Sequence, residues 1–205
     1  MNRFAPRLPA GRHHLDELDG PLAALAFETP RLEHWGRRLA AALTGGGRLL
    51  AVGNGGSASQ ATHLTSELVG RYRDDRPPFS AIALCAESAT VTAIGNDYGI
   101  AEVFARQVRG HGRPGDVIVA LSTSGRSANV LAAVEAAGAA GLTTWALSGR
   151  PGNPLAGACE DALCVDSPHT ATIQEIHLIA IHLLCAAFDE ALAEASTLTF
   201  AGGAS

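Results

Sequence analysis

The chain has 205 residues, of which 47% are hydrophobic and 17% are charged, and its formal net charge is −5. This balance is typical of one globular domain with its own apolar core, and it excludes an intrinsically disordered chain. The chain contains arginine but no lysine, which excludes Schiff-base catalysis by lysine and a Walker-type phosphate loop. The arginines are scattered, so a nucleic-acid-binding surface is not expected.

The two ends of the chain differ from its middle. Residues 1–14 combine proline with mixed polarity and are predicted to form a flexible arm, and residues 196–205 a flexible tail. Residues 15–195 are expected to form the single domain. The first residues lack the apolar run of a signal peptide, and no run reaches the length of a membrane span.

The cysteines favour a reduced protein. None of the four belongs to a C-x-x-C pair, and each lies in or beside an apolar stretch. Buried thiols are therefore favoured over disulfides or zinc ligands, and a cytoplasmic location is predicted. The residues concerned are Cys85, Cys159, Cys164 and Cys185.

Five short apolar runs alternate with helical patterns along the chain. The runs are apolar nearly throughout, which is typical of strands covered on both faces in a parallel sheet. This alternation predicts an α/β fold, a single doubly wound domain with a five-stranded parallel sheet flanked by helices. The predicted strands are 48–52, 81–84, 117–121, 143–147 and 162–165; the predicted helices are 22–43 (interrupted at Thr29-Pro30), 57–69, 101–110, 127–140 and 172–195.

The last predicted helix is apolar around most of its circumference, with Ile176, Ile179 and Leu183 on different sides. Such a helix must be buried on several faces. In a chain of this size a second subunit is a suitable partner, so a homo-oligomer is expected.

Two strand-to-helix turns are rich in small polar residues: 53–57, read GNGGS, and 122–127, read STSGRS. Both lie where parallel strands end, which is where open α/β sheets bind ligands, and helix N-termini there attract phosphate. The alternative is that the serines only cap helices. The first turn departs from the G-x-G-x-x-G pattern, so a nicotinamide cofactor is not expected.

Two predicted helices carry groups suited to proton transfer. His63 and Glu67 lie one turn apart on one helix, and Gln174 and His182 about two turns apart on another. Aldose–ketose isomerisation needs a base that moves a proton between adjacent carbons and an acid that stabilises the enediolate. Alternatively, His63 and Glu67 form a surface pair and His182 is a core histidine.

Four ordered segments carry a family resemblance: GNGGSASQATHLTSELVGRYRDDRP, IGNDYG, STSGRSANV and IQEIHLIAIHLLC. Together they resemble the sugar isomerase (SIS) domain family, and within it the phosphoheptose isomerase branch, over roughly residues 22–192. The resemblance implies the SIS fold, a homotetramer and isomerisation of sedoheptulose 7-phosphate to D-glycero-D-manno-heptose 7-phosphate through an enediol.

The resemblance also assigns residues. It implies Glu67 as the general base, His182 as the general acid, and one zinc ion per subunit bound by His63, Glu67, Gln174 and His182. A nitrogen and oxygen donor set suits zinc, although metal binding lowers the basicity of a glutamate. The implied substrate contacts are Asn54, Gly55, Gly56, Ser57, Glu67, Arg71, Asn96, Asp97, Ser122, Thr123, Ser124, Ser127 and Gln174.

The chain departs from the family pattern at one place, and three rival functions remain. Residues 171–173 read ATI where some relatives carry a polar pair before the glutamine, so any polar contact made there is lost. A non-catalytic branch of the fold binds the replication initiator protein and lacks the residues that match Glu67 and His182, which are intact here. The second rival is an SIS isomerase for another sugar phosphate. The third is a sugar-phosphate sensor, although the spare residues leave no room for the DNA-binding domain of such a sensor.

Overall fold

The computed structural model describes residues 10–202, and their side chains between residues 11 and 195. A parallel sheet of five strands lies between two layers of helices. The strands are β1 (Leu49–Val52), β2 (Ala81–Ala83), β3 (Val117–Ser122), β4 (Thr143–Ser148) and β5 (Asp161–Cys164). The helices are α1 (Ala10–Phe27), α2 (Thr29–Thr44), α3 (Gly56–Val69), α4 (Ser88–Tyr98), α5 (Ala105–His111), α6 (Ala128–Ala139), α7 (Pro154–Ala158) and α8 (Thr170–Gly202), with a 3₁₀ turn at Ile100–Glu102.

The strand order is β2-β1-β3-β4-β5. From β1 the chain moves outward to β2 and then returns to β3 on the other side of β1. The direction of winding therefore reverses between β1 and β3, and open sheets bind ligands at the carboxyl ends of such neighbouring strands. All six residues of β3 are buried, as its continuous apolar sequence predicts. The predicted α/β fold and five-stranded parallel sheet are confirmed.

The helices differ from the prediction at both ends of the chain. Helix α1 begins at Ala10, so part of the predicted arm is helical, while residues 1–9 lie outside the described residues. Side-chain contacts between Glu17 and His169 at 3.1 Å and between His14 and Glu175 at 2.9 Å hold α1 against the start of α8, and such distant contacts leave no local pattern. The backbone of α8 continues to Gly202, into the predicted tail.

Two short helices are absent from the sequence prediction. None of the residues of α4 is buried, so α4 lacks the apolar periodicity that reveals a helix. The side chain of Glu87 caps it by accepting from the backbone N–H groups of Ala89 and Thr90. Helix α7 has five residues, which is too short for a periodic pattern, and begins at the Asn153 cap.

Helix α8 packs against α1, α2 and α3, which confirms the expected burial on several sides. The sequence predicts no run of membrane-spanning length, yet the helical segment Thr170–Ala195 is long and apolar enough to cross a membrane, judged by length and composition only. In the fold, 44% of its most apolar 18-residue window is buried. The backbones of α2 and α8 approach closely at Gly36, where a Cβ atom would lie 2.6 Å from Ala187 Cβ.

Both tryptophans lie where α2 crosses the sheet. The rings of Trp35 and Trp145 stack with centroids 4.8 Å apart and planes inclined by 4°. Trp35 Nε1 donates to Asp161 Oδ2 at 2.7 Å, which joins α2 to β5. The guanidinium of Arg38 covers Trp145, 5.8 Å from its centroid.

All four cysteines are free thiols, as predicted. Cys185 is buried, and Cys85, Cys159 and Cys164 are partly buried. Burial raises the pKa of Cys159 to about 12, so this thiol stays protonated near neutral pH.

Candidate active site

The serine-rich turn after β3 forms a cluster of hydroxyl groups. Ser122 Oγ lies 3.2 Å from Ser127 Oγ and 3.5 Å from Ser124 Oγ. Gly125 has φ +61°, and a Cβ atom there would lie 2.0 Å from Asn153 Oδ1. Glycine therefore permits both the turn and its close contact with the next loop. Thr123, half-buried, completes the set that we call the hydroxyl cluster: Ser122, Thr123, Ser124 and Ser127.

The helices at both turns begin without a side-chain cap. Ser127 is the N-cap residue of α6, yet its side chain makes no capping hydrogen bond. Gly55, with φ +54°, takes the same position before α3. Capping therefore does not account for Ser127. At α3 the N–H groups of Ser57 and Ala58 already donate to the carbonyl of Asn54, so the start of α6 is the better place for an anion.

An amide pair joins the two turns. Asn54 Nδ2 donates to Asn129 Oδ1 at 2.9 Å, and Asn129 Nδ2 donates to Asn54 Oδ1 at 2.9 Å. Asn129 is 7% exposed, whereas Asn54 is exposed. The sequence prediction omits Asn129, although it lies within the segment STSGRSANV. This pair fixes the position of the first turn relative to the hydroxyl cluster.

A second cluster lies further along α3. His63 Nε2 and His182 Nε2 are 2.9 Å apart, so one nitrogen donates a hydrogen bond to the other. Glu67 Oε1 lies 3.5 Å from His63 Nε2. One ligand atom from each of the three side chains lies within 4.8 Å of the others, and all three side chains are partly buried. We call His63, Glu67 and His182 the proton-transfer cluster.

An aromatic ring also contacts His182, in addition to the hydrogen bond at its Nε2 atom. The ring of Tyr72 stacks on it with centroids 5.6 Å apart, and the guanidinium of Arg73 lies 5.1 Å from the Tyr72 centroid. Tyr72 is also missing from the predicted site, because an aromatic residue after a helix gives no signal of what it contacts.

Gln174 lies apart from the proton-transfer cluster. A Cβ atom on Gly56 would lie 2.4 Å from Gln174 Nε2, so this amide covers the start of α3. The side-chain amide of Gln60 donates to the Gln174 carbonyl. Eight residues of α8 separate Gln174 from His182, about 12 Å along the helix axis. In one chain the predicted fourth zinc ligand is therefore not beside the other three.

The remaining predicted residues take different positions. Ser57 is 3% exposed in the first turn of α3. The guanidinium of Arg71 donates to the carbonyl of Arg73 on the surface. Asn96 and Asp97 are exposed on α4, where Asn96 Nδ2 donates to Asp97 Oδ1 at 3.1 Å. Among the described contacts, neither joins α4 to the two clusters.

His177 anchors α8 to the sheet. Its side chain is fully buried, and Nε2 donates to the carbonyl of Ser148, at the end of β4, at 3.1 Å. Burial lowers the pKa of His177 to about 4. The ring is therefore neutral near neutral pH and holds the first turns of α8, with Gln174, against the carboxyl end of β4.

Comparison with known proteins agrees with this fold. The SIS domain family model matches residues 16–149. The chain belongs to the SIS domain family. Within this family, the phosphoheptose isomerase of Streptomyces coelicolor is 64% identical over 179 residues, which are 87% of this chain and 78% of the relative. The phosphoheptose isomerase of Thiobacillus denitrificans is 50% identical over 166 residues, covering 80% of this chain and 84% of the relative.

Solved SIS structures share the architecture. The phosphoheptose isomerase of Neisseria gonorrhoeae superposes with a TM-score of 0.79 at 38% identity, covering 86% of this chain and 96% of the other. That of Francisella tularensis has a TM-score of 0.79 at 34% identity, covering 89% and 100%.

Proposed function

We propose that this SIS domain protein is an aldose–ketose isomerase that converts sedoheptulose 7-phosphate to D-glycero-D-manno-heptose 7-phosphate. The observation that carries the proposal is the proton-transfer cluster, in which His182 Nε2 lies 2.9 Å from His63 Nε2 and Glu67 Oε1 3.5 Å from His63. A carboxylate and an imidazole held together in this way are suited to an enediol mechanism. The names of the similar relatives support the same activity.

In this mechanism Glu67 is the base. Its carboxylate removes a proton from the carbon beside the ketose carbonyl, and the same group returns a proton to the neighbouring carbon. His182 donates a proton to the carbonyl oxygen as the enediolate develops and accepts the proton from the adjacent hydroxyl group. His63 holds the His182 ring through their shared hydrogen bond, and Tyr72 supports the ring by stacking.

The hydroxyl cluster and the uncapped N-terminus of α6 would bind the phosphate. Along the axis of α3, Glu67 lies about 16 Å from Gly56, the first residue of the helix, and His63 lies about 10 Å from Gly56. Helical side chains lean toward the N-terminus of their helix, so the carboxylate reaches back toward the turns. We place the sugar chain along α3, with its phosphate at Ser122, Ser124 and Ser127. Asn54, Gly55, Gly56, Ser57, Arg71, Asn96, Asp97, Thr123 and Gln174 remain proposed contacts.

The residues of the proton-transfer cluster fit a zinc ion. Two imidazoles and a carboxylate are the donor types and the number that catalytic zinc sites use. Glu67 Oε2 is buried and accepts no hydrogen bond from a described residue, so this oxygen has an unused lone pair. When bound, zinc would polarise the carbonyl oxygen. His63, Glu67 and His182 would hold it, and the hydrogen bond between the two Nε2 atoms belongs to the zinc-free cluster, since a metal ion bound by both nitrogens would replace its proton. Gln174, which lies apart from these three within one chain, stays a proposed ligand.

We also propose a cytoplasmic homotetramer. Large apolar side chains stand exposed on α1 and beside α4: Phe27 is 84% exposed and Ile100 69%. Burial of such side chains between copies would be favourable. Light scattering should give a mass well above that of a 21.0 kDa monomer.

Two rival functions predict different outcomes. A non-catalytic protein that binds the replication initiator would not need the proton-transfer cluster, whereas this chain retains it. An SIS isomerase for another sugar phosphate would share the cluster and differ in the sugar contacts. Direct assay of several ketose phosphates separates these possibilities.

The decisive experiment is isomerisation in D2O followed by proton NMR. An enediol mechanism places solvent deuterium at C2 of the aldose product or C1 of the ketose. Complete retention of the substrate protons during slow turnover would indicate hydride transfer instead. No turnover of any ketose phosphate by the folded protein would contradict the proposed activity.

A further inference from the structure

Arg76 caps the end of helix α3 at the proton-transfer cluster. Its side chain is 8% exposed. Nη2 donates to the backbone carbonyl of Glu67 at 2.7 Å, and Nη1 to that of Leu68 at 3.0 Å. These carbonyls belong to the last turn of α3, which lacks a following turn to donate to them. A cation is favourable there because the C-terminus of a helix carries partial negative charge.

The same guanidinium reaches helix α8. Arg76 Nε donates to Asp189 Oδ1 at 2.7 Å. Asp189 follows His182 by seven residues, two helical turns, so both project from the same side of α8. The rings of Phe79 and Phe188 cover the guanidinium at 5.5 and 5.2 Å. One buried side chain therefore joins the backbone of Glu67 to the helix that carries His182.

The pKa of Cys185 is influenced by the charges of Glu67, Asp189 and Arg76. Burial first, and then the negative charges of Glu67 and Asp189, raise the pKa of Cys185 to about 12, and Arg76 acts in the opposite direction. The thiol of Cys185 therefore stays neutral, and it experiences the charges of Glu67 on α3 and of Asp189 on α8 together with that of Arg76. The guanidinium offsets part of the negative charge of the two carboxylates.

We propose that Arg76 is a positioning residue for proton transfer, and that its two hydrogen bonds to the end of α3 and its ion pair with Asp189 set the distance between Glu67 and His182. The role in proton transfer rests on the proposed isomerase function. Arg76 touches backbone carbonyls and Asp189, not the reacting groups, so it acts through the placement of Glu67. The hydroxyl cluster belongs to other elements and does not depend on it.

Arg76→Ala tests this role by steady-state kinetics with sedoheptulose 7-phosphate. A displacement of about 1 Å in a catalytic group lowers the rate about 100-fold, so kcat should fall by that order. KM should stay close to its wild-type value, because the phosphate contacts are intact. Guanidinium chloride at millimolar concentration should restore part of kcat by filling the space that alanine leaves, whereas urea should not.

Arg48→Ala is the matched control. Arg48 also pairs with an aspartate, the buried Asp116, at 3.3 Å, but it precedes β1, at the end of the strands opposite the two turns. This variant should lose stability and keep kcat. Equal losses of kcat in the two folded variants would overturn the proposal, as would an Arg76→Ala protein with normal kcat.

Should Arg76→Ala fail to fold, Arg76→Lys keeps the charge near Asp189 but lacks the fork that reaches two carbonyls and the carboxylate together. Its kcat should fall while KM stays unchanged, and wild-type kcat in this variant would overturn the role of the fork.

Hydrogen exchange supplies a readout that does not need activity. Either Arg76 variant should speed exchange in residues 66–70 and leave α6 unchanged, and unchanged exchange in residues 66–70 would overturn the proposed cap. If the wild-type protein isomerises no ketose phosphate, the isomerase proposal fails, and exchange still decides whether Arg76 holds the end of α3.

Discussion

Asn54 and Asn129 exchange two hydrogen bonds of 2.9 Å and thereby join the turn after β1 to the turn after β3. The two strands are neighbours in the sheet, yet 75 residues separate the two asparagines. The reciprocal pair fixes the amide orientation of both side chains, because each must donate and accept.

The amide pair gives the first prediction. Asn129→Ala should raise KM for the sugar phosphate, because the first turn is no longer held beside the hydroxyl cluster. Each lost bond should lower the free energy of unfolding by about 1 kcal/mol. Asn129→Asp keeps the acceptor for Asn54 Nδ2 but loses the donor, so its KM and its free energy of unfolding should lie between those of the wild-type protein and of Asn129→Ala. Kinetics and urea unfolding measure both effects, and an unchanged KM in Asn129→Ala would remove the amide pair from substrate binding.

The second prediction concerns the proton-transfer cluster. Glu67→Gln and His182→Gln should each lower kcat by about 10²–10⁴-fold, the usual contribution of a positioned acid or base. Circular dichroism should be unchanged. The double variant should be far less impaired than the product of the two single effects, because both groups serve one pathway. Zinc content is measured beside each rate, and near-normal turnover in either folded variant would exclude that residue.

The third prediction concerns the hydroxyl cluster. Ser124→Ala removes one hydroxyl group from the proposed phosphate site, where a hydrogen bond to a charged ligand is worth about 1.5–3 kcal/mol. Calorimetric titration should show correspondingly weaker sugar-phosphate binding with the fold intact. Ser80→Ala, exposed just before β2, is the control and should bind normally. Equal affinities in the two variants would place the phosphate elsewhere.

The fourth prediction concerns acid stability. Burial lowers the pKa of His177 from its ordinary 6.5 to about 4. Between these values the unfolded chain binds a proton that the folded chain does not, so the free energy of unfolding falls as pH falls from about 6.5 to about 4. The difference corresponds to about 3 kcal/mol. His177→Gln keeps an N–H donor and should flatten this part of the profile in urea unfolding at several pH values; an unchanged profile would assign the acid sensitivity to other groups.

Much of the fold follows from local sequence. The five apolar runs predict the sheet because each strand is covered on both faces, and β3 is buried throughout. Helix α4 escapes prediction because all of its side chains are at least partly exposed. The predicted start of helix α1 is too late, since its attachment depends on His169 and Glu175, about 150 residues away in the sequence.

The site divides in the same way. Residue types and spacing predict His63 with Glu67 as one face of a helix, and family resemblance is needed to add His182 from another helix. Neither source indicates Asn129, Tyr72 or Arg76. Each of these acts through a contact between distant segments, and the sequence alone carries no record of such contacts. Nor does helical spacing keep Gln174 beside His182, since about 12 Å of α8 lies between them.

The stacked rings of Trp35 and Trp145 have a consequence for spectroscopy. The chain contains two tryptophans, and with centroids 4.8 Å apart they behave as one coupled chromophore. Intrinsic fluorescence and near-ultraviolet circular dichroism will therefore report on one place, the junction of α2 with the sheet. Loss of this signal marks the separation of α2 from β4 during unfolding, while events at the hydroxyl cluster call for a label placed there.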